Sequence, residues 1–101
     1  MAKTPERVVK DACEAILKTY KAYYFFPVTG GYGRSGVPDI IACYMGQFIA
    51  VECKAGYNQP TALQLRELAR IEEAGGIALV IREDTTNLLI ETLESIRKQS
   101  A

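Results

Sequence analysis

Gly36-Val37-Pro38-Asp39-Ile40-Ile41-Ala42-Cys43-Tyr44-Met45-Gly46-Gln47-Phe48-Ile49-Ala50-Val51-Glu52-Cys53-Lys54 is the stretch from which the rest of this 101-residue chain is read. Its two arms are rich in Ile, Val, Tyr and Phe, and Met45-Gly46 is the one turn signal between them, so the stretch predicts a β-hairpin. A tight turn there pairs Tyr44 with Gln47 and, counting outward, Asp39 with Glu52. Directly opposed residues of an antiparallel pair have Cβ atoms roughly 5 Å apart on one face, so this register sets two carboxylates side by side. Lys54 follows Glu52 by two residues and projects from the same face, because side chains alternate along a strand.

Two facing carboxylates repel unless a positive group lies between them. Oxygen ligands of this kind suit Mg²⁺ or Mn²⁺, whereas zinc favours His and Cys clusters, and this chain has no His. A lysine beside such an ion can orient or deprotonate an attacking water, or neutralise charge developing on a phosphate. Pro38-Asp39, twelve intervening residues and Glu52-Cys53-Lys54 together resemble the PD-(D/E)XK nuclease signature. Gly36-Val37-Pro38-Asp39 with the later Thr61-Ala62-Leu63-Gln64 resembles the VRR-Nuc branch, often found as small stand-alone phage proteins. Taken separately, an ExK on a strand and a PD before one are common, and a hairpin edge often carries a solvated Glu–Lys pair. The convergence of all three groups in one register favours the functional reading.

Length and a 49% hydrophobic content fit one globular domain over residues 1–101. No apolar run approaches the ~20 residues that span a bilayer and the N-terminus lacks a signal-peptide pattern, which predicts a cytoplasmic protein, in the host cell if it is phage-encoded. Cys13, Cys43 and Cys53 lie in apolar runs without metal-ligand spacing and read as small buried hydrophobes. The absence of His excludes His-based triads and His general bases. Net charge is zero, unusual for a nucleic-acid partner, but residues 1–38 hold six basic against three acidic side chains and the remainder six against nine. The N-terminal third can therefore face phosphate, through Arg7 and Lys10 among others, while the hairpin carries the acids.

Thr4-Pro5-Glu6 predicts a helix start, with an apolar stripe of Val9, Ala12, Cys13, Ile16, Leu17 and Tyr20 running to about Tyr20. At 100° per residue Glu6 lies about 55° from the stripe centre and points inward; an acid there also complements the helix dipole. Tyr23-Tyr24-Phe25-Phe26 predicts a short strand, an edge by Pro27, with its aromatics in core and sheet packing rather than stacked on bases. Thr29 to Gly36 is a glycine-rich loop without a P-loop ending; its Arg34 and Ser35 precede the catalytic strand and are expected on the phosphate backbone. A second helix from Thr61 to about Ala74 leaves two readings of Gln64: a capping box with Thr61, or the site-facing end of the stripe Gln64, Leu68, Ile71. Arg66 and Arg70 read as solvated, with Glu67 and Glu73 nearby. Ile77 to Arg82 predicts a strand buried on both sides, and Thr85-Thr86-Asn87 starts a helix to about Arg97 with Leu88, Leu89, Leu93 and Ile96 on the sheet.

Helix, three strands, helix, strand, helix is an α/β order with a mixed central sheet flanked by helices. The resemblance implies the restriction-endonuclease-like αβββαβ core with an extra C-terminal helix. It further implies a Mg²⁺- or Mn²⁺-dependent DNA endonuclease in which Asp39, Glu52 and the Cys53 backbone carbonyl hold the ion. Lys54 would handle the water, Glu6 would be a third acid and Gln64 would support the site. A homodimer cutting branched DNA, four-way junctions first, is the assembly it implies. A non-catalytic nucleic-acid-binding module and a structure-indifferent nickase are the rival readings.

Overall fold

The computed structural model describes residues 3–28 and 35–100. Helix α1 spans Pro5–Thr19; Thr4 caps it by accepting from the Arg7 N–H, and Pro5 fills the first turn, where no donor is missed. Strands β1 (Tyr23–Phe25), β2 (Ile40–Tyr44) and β3 (Gln47–Cys53) precede α2 (Ala62–Glu73), β4 (Ile77–Ile81) and α3 (Asn87–Ser100). The αβββαβ order with a C-terminal helix is as expected, and α3 continues three residues beyond the predicted end at Arg97.

The sheet order is β1-β2-β3-β4, antiparallel through β3 and parallel between β3 and β4. Only a crossover can return the chain parallel to β3, and α2 provides it. Met45 and Gly46 both adopt left-handed φ, 50° and 83°, as a two-residue hairpin turn demands. The register follows: Tyr44 faces Gln47 and the pairing runs outward to Ile40 opposite Val51.

On one face of the sheet, Ile40, Ala42, Ile49, Val51, Cys53 and Ile81 join Val9, Cys13 and Leu17 of α1 and Leu89, Leu93 and Ile96 of α3 in a single buried core. The opposite face carries α2, and it is covered only in part. Ile71 of α2 and Phe48 crowd Gly76 there, but Phe48 remains 43% exposed. Several expectations are corrected on this account. Cys43, in register with Phe48, is exposed and not buried. Tyr23 and Phe25 stand out from the edge strand at 72% and 47% exposure, while Tyr24 and Phe26 pack against the core. Strand β4 is the other edge, so of its five residues only Ile81 is fully buried. Leu88 turns outward while Leu89, Leu93 and Ile96 do not. Glu67, read from sequence only as a neighbour of the solvated Arg66 and Arg70, is buried, with Arg70 Nη1 3.6 Å from its carboxylate.

Candidate active site

The end of the hairpin away from its turn gathers the polar groups. Beyond Ile40 opposite Val51, Asp39 leaves strand geometry and its Oδ2 accepts the Cys53 N–H at 2.8 Å. The carboxylate thus satisfies a backbone donor of β3 and is fixed beside Glu52. Pro38, itself buried, precedes it. Gly36 turns the chain into this segment at φ +83°, and a Cβ there would lie 2.6 Å from the Leu63 backbone carbon and oxygen at the start of α2. Glycine is required on both counts, which is the physical content of Gly36-Val37-Pro38-Asp39.

Glu52 is 2% exposed. Its Oε2 lies 3.5 Å from Lys54 Nζ, and its Oε1 is buried with no hydrogen-bond partner. Burial first, then the charge of Asp39, push its carboxyl up to about 7 against the pull of Lys54. Lys54 is nearly buried; its N–H donates to the Ile81 carbonyl at 3.0 Å, extending the β3–β4 ladder past the strand end, and its Nζ lies 3.7 Å from Glu6 Oε1. Lys54 therefore sits between two acids from different elements. Glu6 joins the site through this lysine, from an exposed position rather than by pointing into the core. Among the described residues no three His, Cys, Asp or Glu side chains form a metal-holding group by themselves. Any ion would thus depend on Asp39, Glu52, backbone oxygen and water.

Cys53 lies between these two groups with its thiol turned into the core beside Cys13. The contact with Cys13, burial and the charges of Asp39 and Glu52 hold that thiol well above its ordinary range. It stays protonated at neutral pH, so Cys53 can serve the site only through its backbone. A cleft of ≈ 180 Å³ opens on Asp39 and Cys53 and is otherwise lined by Thr4, Glu6, Arg7 and Lys10 at the start of α1. Arg7 and Lys10 thus line the same cleft as Asp39. Arg7 Nε is held by Asp11 Oδ1 at 3.0 Å, and Lys10 Nζ lies 4.5 Å from the centre of the Phe26 ring. Ser35 is exposed beside Leu63 and Arg66, and Arg34 lies outside the described residues.

Gln64 settles into the capping box: its Oε1 accepts the Thr61 N–H at 2.9 Å and its own N–H donates to Thr61 Oγ1 at 3.2 Å. The side chain is turned to the helix end and not to Lys54. Sequence reasoning overlooked Thr4 as a lining residue and the burial of Glu67. The first was signalled by its position at the N-cap; for the second, the helical spacing carries no signal.

No family model matches the chain. A protein of Acyrthosiphon pisum secondary endosymbiont phage 1 named "Putative nuclease p44" is 44% identical over 59 residues, 56% of this chain. The match spans 63% of p44, less than two thirds of its length. Among solved structures, one titled VRR_NUC domain superposes with a TM-score of 0.73 at 24% identity, over 88% of this chain and 97% of that one. The Archaeoglobus fulgidus Holliday junction resolvase Hjc superposes at 0.57 with 16% identity, over 76% and 69%. The fold of this chain is that of the VRR_NUC domain and of Hjc.

Proposed function

We propose that this chain is a VRR-Nuc-type nuclease: a divalent-metal-dependent DNA endonuclease that hydrolyses phosphodiester bonds and prefers branched DNA. The observation that carries the reading is a buried carboxylate oxygen, Glu52 Oε1, with no partner, beside a second carboxylate and a nearly buried lysine. Such an oxygen costs stability unless something positive meets it. The donor set of hard oxygens without imidazole fits Mg²⁺ or Mn²⁺. Asp39, Glu52 and the Cys53 carbonyl would hold the ion, which when bound supplies Lewis-acid stabilisation of phosphate charge.

The chain's own residues do the rest. Asp39 ties the end of β2 to β3 through the Cys53 N–H, so the carboxylates keep their spacing as charge changes. Lys54, braced between Glu52 and Glu6, orients or deprotonates the attacking water. Arg7, Lys10, Ser35 and Arg34 are the candidates for holding the strand's phosphates. Gln64 is proposed to act through the α2 N-terminus, which it caps.

Branched DNA as the target is supported by the fold shared with a Holliday junction resolvase, and pairing into a homodimer by the partly uncovered sheet face. Tyr23, Phe25 and Phe48 leave on the order of 300 Å² of ring surface exposed there, at roughly 200 Å² per aromatic side chain. A standard interface buries ~800 Å² per partner around an apolar, charge-poor centre, and these rings supply such a centre. A second copy is the fitting occupant, since an uncharged patch complements itself and the chain's zero net charge does not oppose association. Among the described residues no helix is long and apolar enough to cross a membrane; action on DNA in the cytoplasm is part of the proposal. A purely DNA-binding module gains nothing from paired carboxylates that repel phosphate.

The test is incubation with linear, nicked, flap and four-way-junction DNA, with and without Mg²⁺ or Mn²⁺. Cleavage that requires the ion and disappears in both Asp39→Ala and Glu52→Ala is expected. Cleavage retained by both variants overturns the assignment.

A further inference from the structure

The loop that follows Lys54 presents one side chain for which the fold has no use. Tyr57 is 98% exposed, the most exposed large apolar or aromatic residue among those described. It occupies the third position of the turn Ala55-Gly56-Tyr57-Asn58, which is closed by the Asn58 N–H donating to the Ala55 carbonyl at 3.1 Å. Turn positions of this kind are usually filled by Gly, Asn, Asp or Ser, which supply local hydrogen bonds or unusual φ. A tyrosine ring in water does neither.

The turn is nevertheless pinned. The Gly56 N–H donates to Glu83 Oε1 at 2.9 Å and the Gly56 carbonyl accepts from Arg82 Nη1 at 2.9 Å. Arg82 is held in turn by its own N–H to Thr85 Oγ1 at 2.8 Å, and Ala55 is buried. Both backbone polar groups of Gly56, one in each of the two peptide units that flank it, are thus clamped to the segment after β4, immediately before the exposed ring. A pinned backbone carrying an unpacked aromatic side chain lowers the ordering cost of a contact with something outside the chain.

The position identifies what that is. Tyr57 lies three residues after Lys54, so their Cα atoms are at most roughly 10 Å apart. Stacked nucleotides rise ~3.4 Å each along a strand, so the backbone that carries the ring lies within about three nucleotides' rise of the Lys54 backbone. The chain has zero net charge and its hairpin end is acidic, so phosphate attraction alone gives weak binding. Stacking of a base on an aromatic ring does not depend on charge. In continuous duplex the faces of each base are covered by its neighbours; at branch points, flaps and frayed ends they are free.

We propose that Tyr57 is a stacking post for an unpaired nucleobase, selecting DNA with an exposed base face over continuous duplex. The inference rests on the nuclease reading and names the residue that discriminates substrates for it. The chain contains no Trp, so Tyr57→Trp introduces a single indole whose emission reports stacking directly. In metal-free buffer, titration with a four-way junction, a flap and a thymidine oligonucleotide should quench that emission by half or more, and blunt linear duplex of equal length by much less. In Mn²⁺, Tyr57→Ala should raise KM for the flap tenfold or more with a smaller effect on kcat, and Tyr57→Phe should restore it. Junction binding, seen by anisotropy of labelled DNA, without any change in indole emission overturns the stacking role and leaves the nuclease reading intact. Equal KM for Tyr57→Ala and the unmodified chain on the flap does the same. Failure of the unmodified chain to bind or cut any DNA overturns both.

Discussion

Glu52→Gln gives a direct measure of the strain held at the site. In the folded chain the Glu52 carboxyl is pushed from its ordinary 4.5 to about 7 by burial and by Asp39. Each tenfold change in proton affinity corresponds to about 1.4 kcal/mol, so the ionised form costs the folded state about 3 kcal/mol. The sign follows from where the proton sits. Below the unfolded value Glu52 is protonated in both states and contributes nothing. Between about pH 4.5 and 7 the unfolded chain releases the proton and the folded chain keeps it, so stability falls as pH rises. Above about 7 the full cost is present. Glutamine has nearly the same shape and no charge, so the variant should match the unmodified chain near pH 4.5 and exceed it by about 3 kcal/mol near pH 8 without metal. Urea unfolding in chelator reads this as a midpoint shift of at least about 1 M, for slopes of roughly 1–3 kcal/mol/M. Mn²⁺ added near pH 8 should close the gap by stabilising only the chain with the carboxylate pair. Superimposed midpoints near pH 8, or a gap that Mn²⁺ leaves unchanged, would refute the reasoning.

Lys54→Met should separate binding from chemistry: stabilisation by Mn²⁺ in thermal unfolding persists, while turnover falls about 10²- to 10⁴-fold, as for loss of a proton-transfer group. Near-normal turnover would reduce Lys54 to a structural ion pair. Gly36→Ala should destabilise by more than about 1 kcal/mol, combining a left-handed φ of +83° with a Cβ 2.6 Å from the Leu63 backbone. Urea midpoints check it, and an unchanged value means that α2 does not press on this turn. The unmodified chain should be a dimer by light scattering at micromolar concentration, and Phe25→Asp combined with Phe48→Asp should leave a monomer; a dimer that survives both charges moves the interface off this sheet face.

The residues around the hairpin show how far sequence alone reaches. Met45-Gly46 fixes the turn, side chains alternate with period two, and those two local rules carry the register out to Ile40 opposite Val51 and set Lys54 on the same side as Glu52. Asp39, one step further, leaves the strand and accepts the Cys53 N–H where the register alone paired it with Glu52. Thr4-Pro5 and Thr61-Gln64 start their helices for equally local reasons, and both caps form as read. Whether Gln64 would cap or face the site was open in sequence, because one side chain can satisfy either geometry; its hydrogen bond to the Thr61 N–H decided it. Arg34 belongs to the stretch outside the described residues. Coverage of the sheet was not legible at all. An alternating strand states that it has two faces but not which helix lies over each, and that depends on where α2 crosses between β3 and β4. For that reason Cys43, Tyr23 and Phe25, apolar residues in apolar runs, face outward, Glu67 is buried, and β4 is an edge. Glu6 meets Lys54 only because α1 packs across the sheet and its first turn reaches the end of β3, a long-range contact that no local pattern encodes.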